Sequence, residues 1–301
     1  MRSIRMAIRL ALSFGLLVPV IGCGKPAPPP DKLTVEIAEQ QMASAELVID
    51  LTEFTSIEDE AAEILAKHSG GLNLDGLTTL SDSAAESLAE QKGDLGLGGL
   101  KALSDAQVKI LSKHQGGALR LSGLTELSDA QVKSFSRHQG MLDLSGVTSV
   151  SDSAAAALAK VNGDLVLNGL TSLSDAAAES LAMHQGGRDR LLLSGLTSLT
   201  DAQAESLSKH QGGLVLNGLT SLTDAQAKSL SLHQGDLSLK GVTSLSDAAA
   251  ESLAKHRGGV LDLRGLNLLS DAAAECLAEL DVYLLVKRGN LPPSAAEILR
   301  K

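Results

Sequence analysis

All seven histidines of the chain, His68, His114, His138, His184, His210, His233 and His256, occupy one place in a phrase that recurs about every 23 residues. Once such repeats stack, the imidazoles form a ladder. A ladder of this kind has two chemical uses, as a metal-binding edge or as a seam that titrates near neutral pH. Position argues for a plainer role. Each histidine stands three residues after an apolar helical residue and shortly before a glycine, which places it at the carboxyl end of a helix. There the ring meets free carbonyls and its charge complements the dipole. Where histidine is missing the place holds Gln91, Val161 or Leu280, which reads as a packing slot. Helix axes about 8–10 Å apart also make it hard for two imidazoles to share one zinc.

Aspartate is as regular: Asp59, Asp82, Asp105, Asp129, Asp152, Asp175, Asp201, Asp224, Asp247 and Asp271. Read as a site, this is a carboxylate row suited to calcium. Read as structure, each aspartate follows a Ser or Thr N-cap in nearly every unit and complements the dipole in the first helical turn. The second reading accounts for the placement, and a calcium-binding nonapeptide would repeat every nine residues or so, not every 23. Cys276 has no partner once Cys23 is assigned elsewhere and reads as a free thiol. No Ser-His-Asp set stands apart from the Ser, His and Asp that the repeat itself generates. No phosphate loop appears. The sequence therefore predicts no catalysis, no metal site and no cofactor.

These columns must be carried by the repeat. Strands are expected to start at Ile49, Leu72, Leu95, Leu119, Leu142, Leu165, Leu191, Leu214, Leu237, Leu261 and Leu284; they are called coils 1 to 11 below. Most steps are 23 residues, two are 24 and one is 26. In the unit Leu165–Gly187, Leu165 and Leu167 alternate with Val166 and Asn168, the period of a strand with one buried face. Gly169 follows, and glycine recurs there from Gly76 to Gly265, as a turn needing positive φ or close backbone approach requires. Ser174 then caps a helix in which Ala178, Leu181 and Ala182 make one buried stripe. Gly186 and Gly187 are expected to end it with a left-handed residue. Strand, turn, helix and return in one direction predict an α/β solenoid of eleven units, a parallel sheet on one face and helices on the other.

The pattern of Leu, Gly and a Ser/Thr-Asp cap at this spacing resembles leucine-rich repeats, particularly the Cys-containing kind, over residues 49 to about 300. Two departures stand out. The polar Asn or Cys of that family's turn is replaced by Leu or Val, as at Leu77, Val147 and Val242. The Leu that usually precedes the strand is replaced by residues such as Lys92, Asn162 and Gln211. Curvature stays open between an arc and a straighter coil. The resemblance implies a binding or scaffold module that works through its outward strand positions, with Arg120, Asp143, Asn168, Asn217, Lys240 and Arg264 as the candidates. Against a dedicated site, the chain has no Trp, one Tyr and three Phe, whereas tight interfaces are usually anchored by aromatic residues and Arg.

Residues 1–22 carry Arg2, Arg5 and Arg9 ahead of a short apolar run, the layout of an export signal. Val20-Ile21-Gly22-Cys23 resembles the lipobox of bacterial lipoproteins, which implies that Cys23 receives a lipid and becomes the mature N-terminus. Residues 23–32, with four of the seven prolines, read as a stiff tether, residues 33–48 as an N-terminal cap, and 49–301 as the solenoid. The net charge is −10; removing the three leader arginines, with no acid among them, leaves −13. That excludes a nucleic-acid partner, whose phosphates want a basic surface. The expectation is an exported protein of the bacterial cell envelope, held to a membrane by the lipid on Cys23 and facing an unidentified protein or envelope component. Replacing Cys23→Ala is expected to abolish lipid labelling and move the protein out of the membrane fraction; unchanged partition on fractionation would disprove the lipoprotein assignment.

Overall fold

The computed structural model describes residues 31–44, 46–184 and 189–300. The leader, Cys23 and the prolines up to residue 30 lie outside the described residues, as do Gly186 and Gly187. Within Asp31–Lys301, which forms one compact unit, the chain opens with β1 (Lys32–Leu33), α1 (Val35–Ala43), β2 (Val48–Asp50), β3 (Ser56–Ile57) and α2 (Asp59–Leu65). From there each coil adds one short strand and one helix. One strand from each coil joins an eleven-stranded parallel sheet in coil order, from β2 to Leu284–Leu285, while β1 and β3 form a separate pair.

Register follows the leucines. Leu72 pairs with Leu95, Leu142 with Leu165 and Leu237 with Leu261, so like residues stack on like throughout. Each coil then buries the same set. In coil 6, Leu165, Leu167, Leu170, Ala177, Ala178 and Leu181 are all fully buried. Larger side chains enter only where a coil departs from the rule, Phe54 at the first turn and Phe135 in coil 4. At the N-terminal end, β1 pairs in parallel with β3 and α1 lies beside α2, which buries Leu33 and Ala38. At the far end the helix Pro293–Ile298 starts at a proline, as suits its first turn, and buries Leu291, Ala295 and Ala296.

Helix starts are as expected. Nine helices are capped by Ser or Thr, from Ser81 to Ser270, each accepting the N–H three residues on. The helices close on right-handed residues, such as Ala159, Ser208 and Ser231, and among the described residues positive φ is found at Gly140 and Gly163, which hold in their repeats the place that Gly186 holds in its own. The turn glycines answer to contact with the preceding coil. A Cβ at Gly169 would sit 2.2 Å from the Ser145 carbonyl oxygen, and one at Gly235 would sit 2.1 Å from that of Gly212. Of the two reasons open for the turn glycines, close approach is therefore the operative one.

The three long steps have their own solution. They follow coils 3, 6 and 9, whose strands are preceded by Asp94, Asp164 and Asp236. Each carboxylate accepts the main-chain N–H of the residue before the next strand: Ala118 at 2.9 Å, Arg190 at 2.7 Å and Val260 at 2.7 Å. The carboxylate thus satisfies an amide that the wider turn lifts away from the ladder. Gly169→Ala is expected to lower stability by about 1–3 kcal/mol through overpacking. Gly289→Ala, where an added Cβ meets nothing within 4 Å, should stay within about 0.5 kcal/mol of the parent. Urea unfolding of the two variants side by side checks the contrast.

Candidate functional site

The aspartate column turns out to serve the neighbouring coil. Besides opening its own helix, each carboxylate accepts the hydroxyl of the next coil's N-cap in most steps. Ser151 donates to Asp129 at 2.7 Å, Thr200 to Asp175 at 3.0 Å, and Thr223 to Asp201 at 3.1 Å; Ser81, Ser174 and Ser270 do the same to Asp59, Asp152 and Asp247. The hydroxyls of Ser153 and Ser151 hold the Asp129 carboxyl below its ordinary pKa. Four coils add a second link through glutamine. Gln226 Oε1 accepts the Thr223 N–H at 3.0 Å while its Nε2 donates to the Leu199 carbonyl of the coil before at 2.8 Å. Gln107, Gln131 and Gln203 repeat this. Sequence reading missed both links, because the partner lies a full period away.

The histidine column is a buried stack. His114, His138, His184, His210, His233 and His256 are at most 2% exposed. Ring centroids are 6.4 Å apart for His114–His138, then 5.7, 6.3 and 6.4 Å along His184, His210, His233 and His256, with planes within 27° of parallel. Val161 separates the two files. Parallel rings present faces to one another and not converging nitrogens, which is the wrong geometry for a shared metal. The polar edges point toward carbonyls at the end of the preceding helix. His233 Nδ1 lies 3.3 Å from the Ser208 carbonyl oxygen, which places its proton on Nδ1. Gln91, in the same slot, donates Nε2–H to the Gly70 carbonyl at 2.5 Å. At His233 the expected capping thus crosses between coils, onto the preceding helix's end and not its own, whereas the buried ring nitrogens of His114, His138, His184, His210 and His256 have no hydrogen-bond partner among the described residues. Burial pushes the pKa of all six down, to about 4 for His138 and His210, where a neighbouring imidazole adds repulsion. Asp94, Asp189 and Asp236 pull partly the other way.

With both columns committed to stacking, the variable side chains are those of the sheet face. Arg120 and Asp143 occupy the outward position within their strands, and Asn168, Asn217, Lys240 and Arg264 the outward position just beyond. The structure brings all six onto one face across coils 4 to 10, and each is held there. Arg120 pairs with Asp94 at 2.9 Å. Burial raises the Asp94 pKa, but the Ala118 N–H and Arg120 outweigh it and leave the carboxyl below its usual range. Asp143 accepts the Ser145 N–H at 2.9 Å, and Asn168 that of Ser194 at 2.9 Å. Asn217 accepts the Ser238 hydroxyl at 2.7 Å and the Lys240 N–H at 3.1 Å. Arg264 grips Asp262 with two bonds, 2.9 and 2.6 Å, and Lys240 reaches the same carboxylate at 3.6 Å. Asp94 and Asp262, absent from the sequence-based candidates, are thus the anchors of three of them.

No protein family matches the sequence, and no curated protein matches it either. Solved structures do. A leucine-rich-repeat protein of Leptospira interrogans is similar over 88% of this chain and 66% of its own, at 17% identity and a TM-score of 0.45. A chain of the Drosophila Toll–Spatzle complex is similar over 81% of this chain and 36% of its own, at 13% identity and a TM-score of 0.50. An internalin of Listeria monocytogenes is similar over 83% of this chain and 79% of its own, at 14% identity and a TM-score of 0.42. This chain therefore spans just under two thirds of the first of these and about a third of the second. The likeness is one of fold. The stacked strand-and-helix coils make the chain an α/β solenoid of the leucine-rich-repeat type, as its repeat implied.

The buried rings make stability depend on pH with a definite sign. A histidine whose folded pKa is depressed is stabilising in full above its unfolded value near 6.5, because the unfolded chain takes up the proton first as pH falls. Stability should therefore decline between about pH 6.5 and 4, each ring adding a slope of up to about 1.4 kcal/mol per pH unit. Denaturant unfolding across that range should show the slope, and His210→Gln should flatten it.

Proposed function

We propose that the chain is a non-catalytic binding or scaffold module that acts through the sheet face of its solenoid and is held to a membrane of the bacterial envelope by a lipid on Cys23. The observation that carries the reading is the division of labour among its side chains. Aspartates, glutamines and cap hydroxyls are consumed in coil-to-coil bonds and the histidine rings in a buried stack, while the outward strand positions change from coil to coil. Solenoids present such faces as extended contact surfaces. The fixed partners of Arg120, Asn217 and Arg264 hold them in place, so little side-chain freedom is lost when a partner docks. The partner is a protein or envelope component of mixed charge.

One observation favours a second reading, that of a surface spacer without a specific ligand. Among the described residues the only aromatic side chain on the sheet face is Tyr283, at the last strand, so the aromatic anchors usual in tight interfaces are missing from its centre. Purified residues 24–301, presented to envelope extract and then to each captured protein in a titration, separate the readings. Binding is expected to saturate, and to weaken at least tenfold when Arg120 and Asn217 are both replaced by Ser. No saturable partner, together with unchanged cellular function after deletion of coils 5 and 6, would establish the spacer.

A further inference from the structure

The charges of the sheet face are polarised along the stack. The first three strands carry Asp50, Asp75 and Asp94 and no base, whereas the last three carry Lys240, Arg264 and Lys287 beside Asp236 and Asp262. Local pairing trims this pattern without erasing it. Arg120 neutralises Asp94, and Asp262 is shared by Lys240 and Arg264. Arg190 is held by Asp164 in the same way. Asp50, Asp75 and Asp143 remain as the acidic surplus, and the last three strands, with Asp236 and Asp262 set against Lys240, Arg264 and Lys287, keep a surplus of one base, with Lys287 outermost. Asp50, Asp75, Lys240, Arg264 and Lys287 are all exposed. Between the ends, the outward strand positions are apolar in three consecutive coils, Val166, Leu192 and Val215.

Eleven evenly stacked strands have their middle at coil 6, the strand Leu165–Val166. A two-fold axis lying along that strand, in the plane between two facing sheets, keeps the strand direction and reverses the coil order. It sets coil 1 opposite coil 11 of the other copy, coil 2 opposite coil 10, and coil 5 opposite coil 7. Asp50 then faces the strand end that bears Lys287, Asp75 faces Arg264, and Asp143 faces the strand that begins beside Arg190. Val166 meets its own copy at the centre. On a flat sheet all the strands meet; on one concave toward its partner the two charged ends meet first. The same pairs are opposed in both.

We propose that a second copy of this chain is a partner of the sheet face, docked sheet to sheet with its coil order reversed. Where an acid and a base exchange places under the dyad, as Asp50 and Lys287 or Asp75 and Arg264 do, the two-fold contact uses each pair twice; the acids that meet acids, Asp94, Asp164 and Asp236, are held by Arg120, Arg190 and the Val260 N–H. This rests on the reading of the sheet face as a contact surface and names one occupant for it. Because the charged pairs are solvent-exposed, the association weakens as salt screens them.

The test uses residues 24–301, which contain the whole compact unit, in sedimentation equilibrium at low and high salt. A dimer is expected at low salt that dissociates at least tenfold more readily in 0.5 M salt. Asp50→Lys and Lys287→Glu should each weaken it at least tenfold while the melting temperature stays unchanged. Mixed together, the two variants should form a heterodimer, since both contacts then pair opposite charges. A monomer at every concentration up to about 100 μM, or a dimer indifferent to salt and to both variants, would overturn the proposal. If that monomer still binds an envelope protein through Arg120 and Asn217, the contact-surface reading stands and only the self-association fails.

Discussion

Strands and helices of one coil have to advance by the same step, although each prefers a different one. Parallel strands stack about 4.8 Å apart, whereas packed helices usually keep 8–10 Å between axes. The chain meets this conflict with size. The buried helix faces are alanine almost throughout, for example Ala177, Ala178, Ala249 and Ala250, and leucine is kept for one position per helix. The imidazole rings register the compromise at the far end of each helix, where neighbouring coils lie 5.7 to 6.4 Å apart. A planar ring fills such a gap in a way that neither an alanine nor a long flexible side chain does.

Close stacking also decides where polar groups find partners. Within a short helix the end groups are left over, and here the next coil supplies them. N-cap hydroxyls such as Thr223 accept an N–H of their own helix and donate to an aspartate of the preceding one. The turn position is given over to Leu or Val, as at Leu77, Val147 and Val242, and the polar ladder of this chain runs along the amino ends of its helices. The histidines lie at the other end and remain neutral because they are buried.

Much of this was legible in the residues. The period, the strand starts, the caps and the end helix follow from patterns contained in one repeat. What one repeat does not contain is its neighbour. Asp201 reads as a helix opener, and nothing in its own coil shows that Thr223 will also bond it. Gly169 reads equally well as a positive-φ turn or as a close approach until the Ser145 carbonyl is seen beside it. The sheet-face candidates were found by strand alternation, but their anchors were not. Asp94 lies before its strand and reaches into the next coil, and Asp262, although at an outward position, is buried beneath Lys240 and Arg264. A signal was present in Gln91: a glutamine that replaces histidine keeps a hydrogen-bond donor, while Val161 and Leu280 keep only bulk.

Asp94, Asp164 and Asp236 stand three coils apart, each matched to one wide turn. The coil is therefore the unit of packing, but the block of three is the unit of exchange. Removal of coil 2, 5 or 8 alone would leave a wide turn without its aspartate, and removal of coil 3, 6 or 9 alone an aspartate without its amide. Removal of three consecutive coils, about 70 residues by the repeat spacing, leaves an aspartate facing a wide turn wherever among these the joint is made.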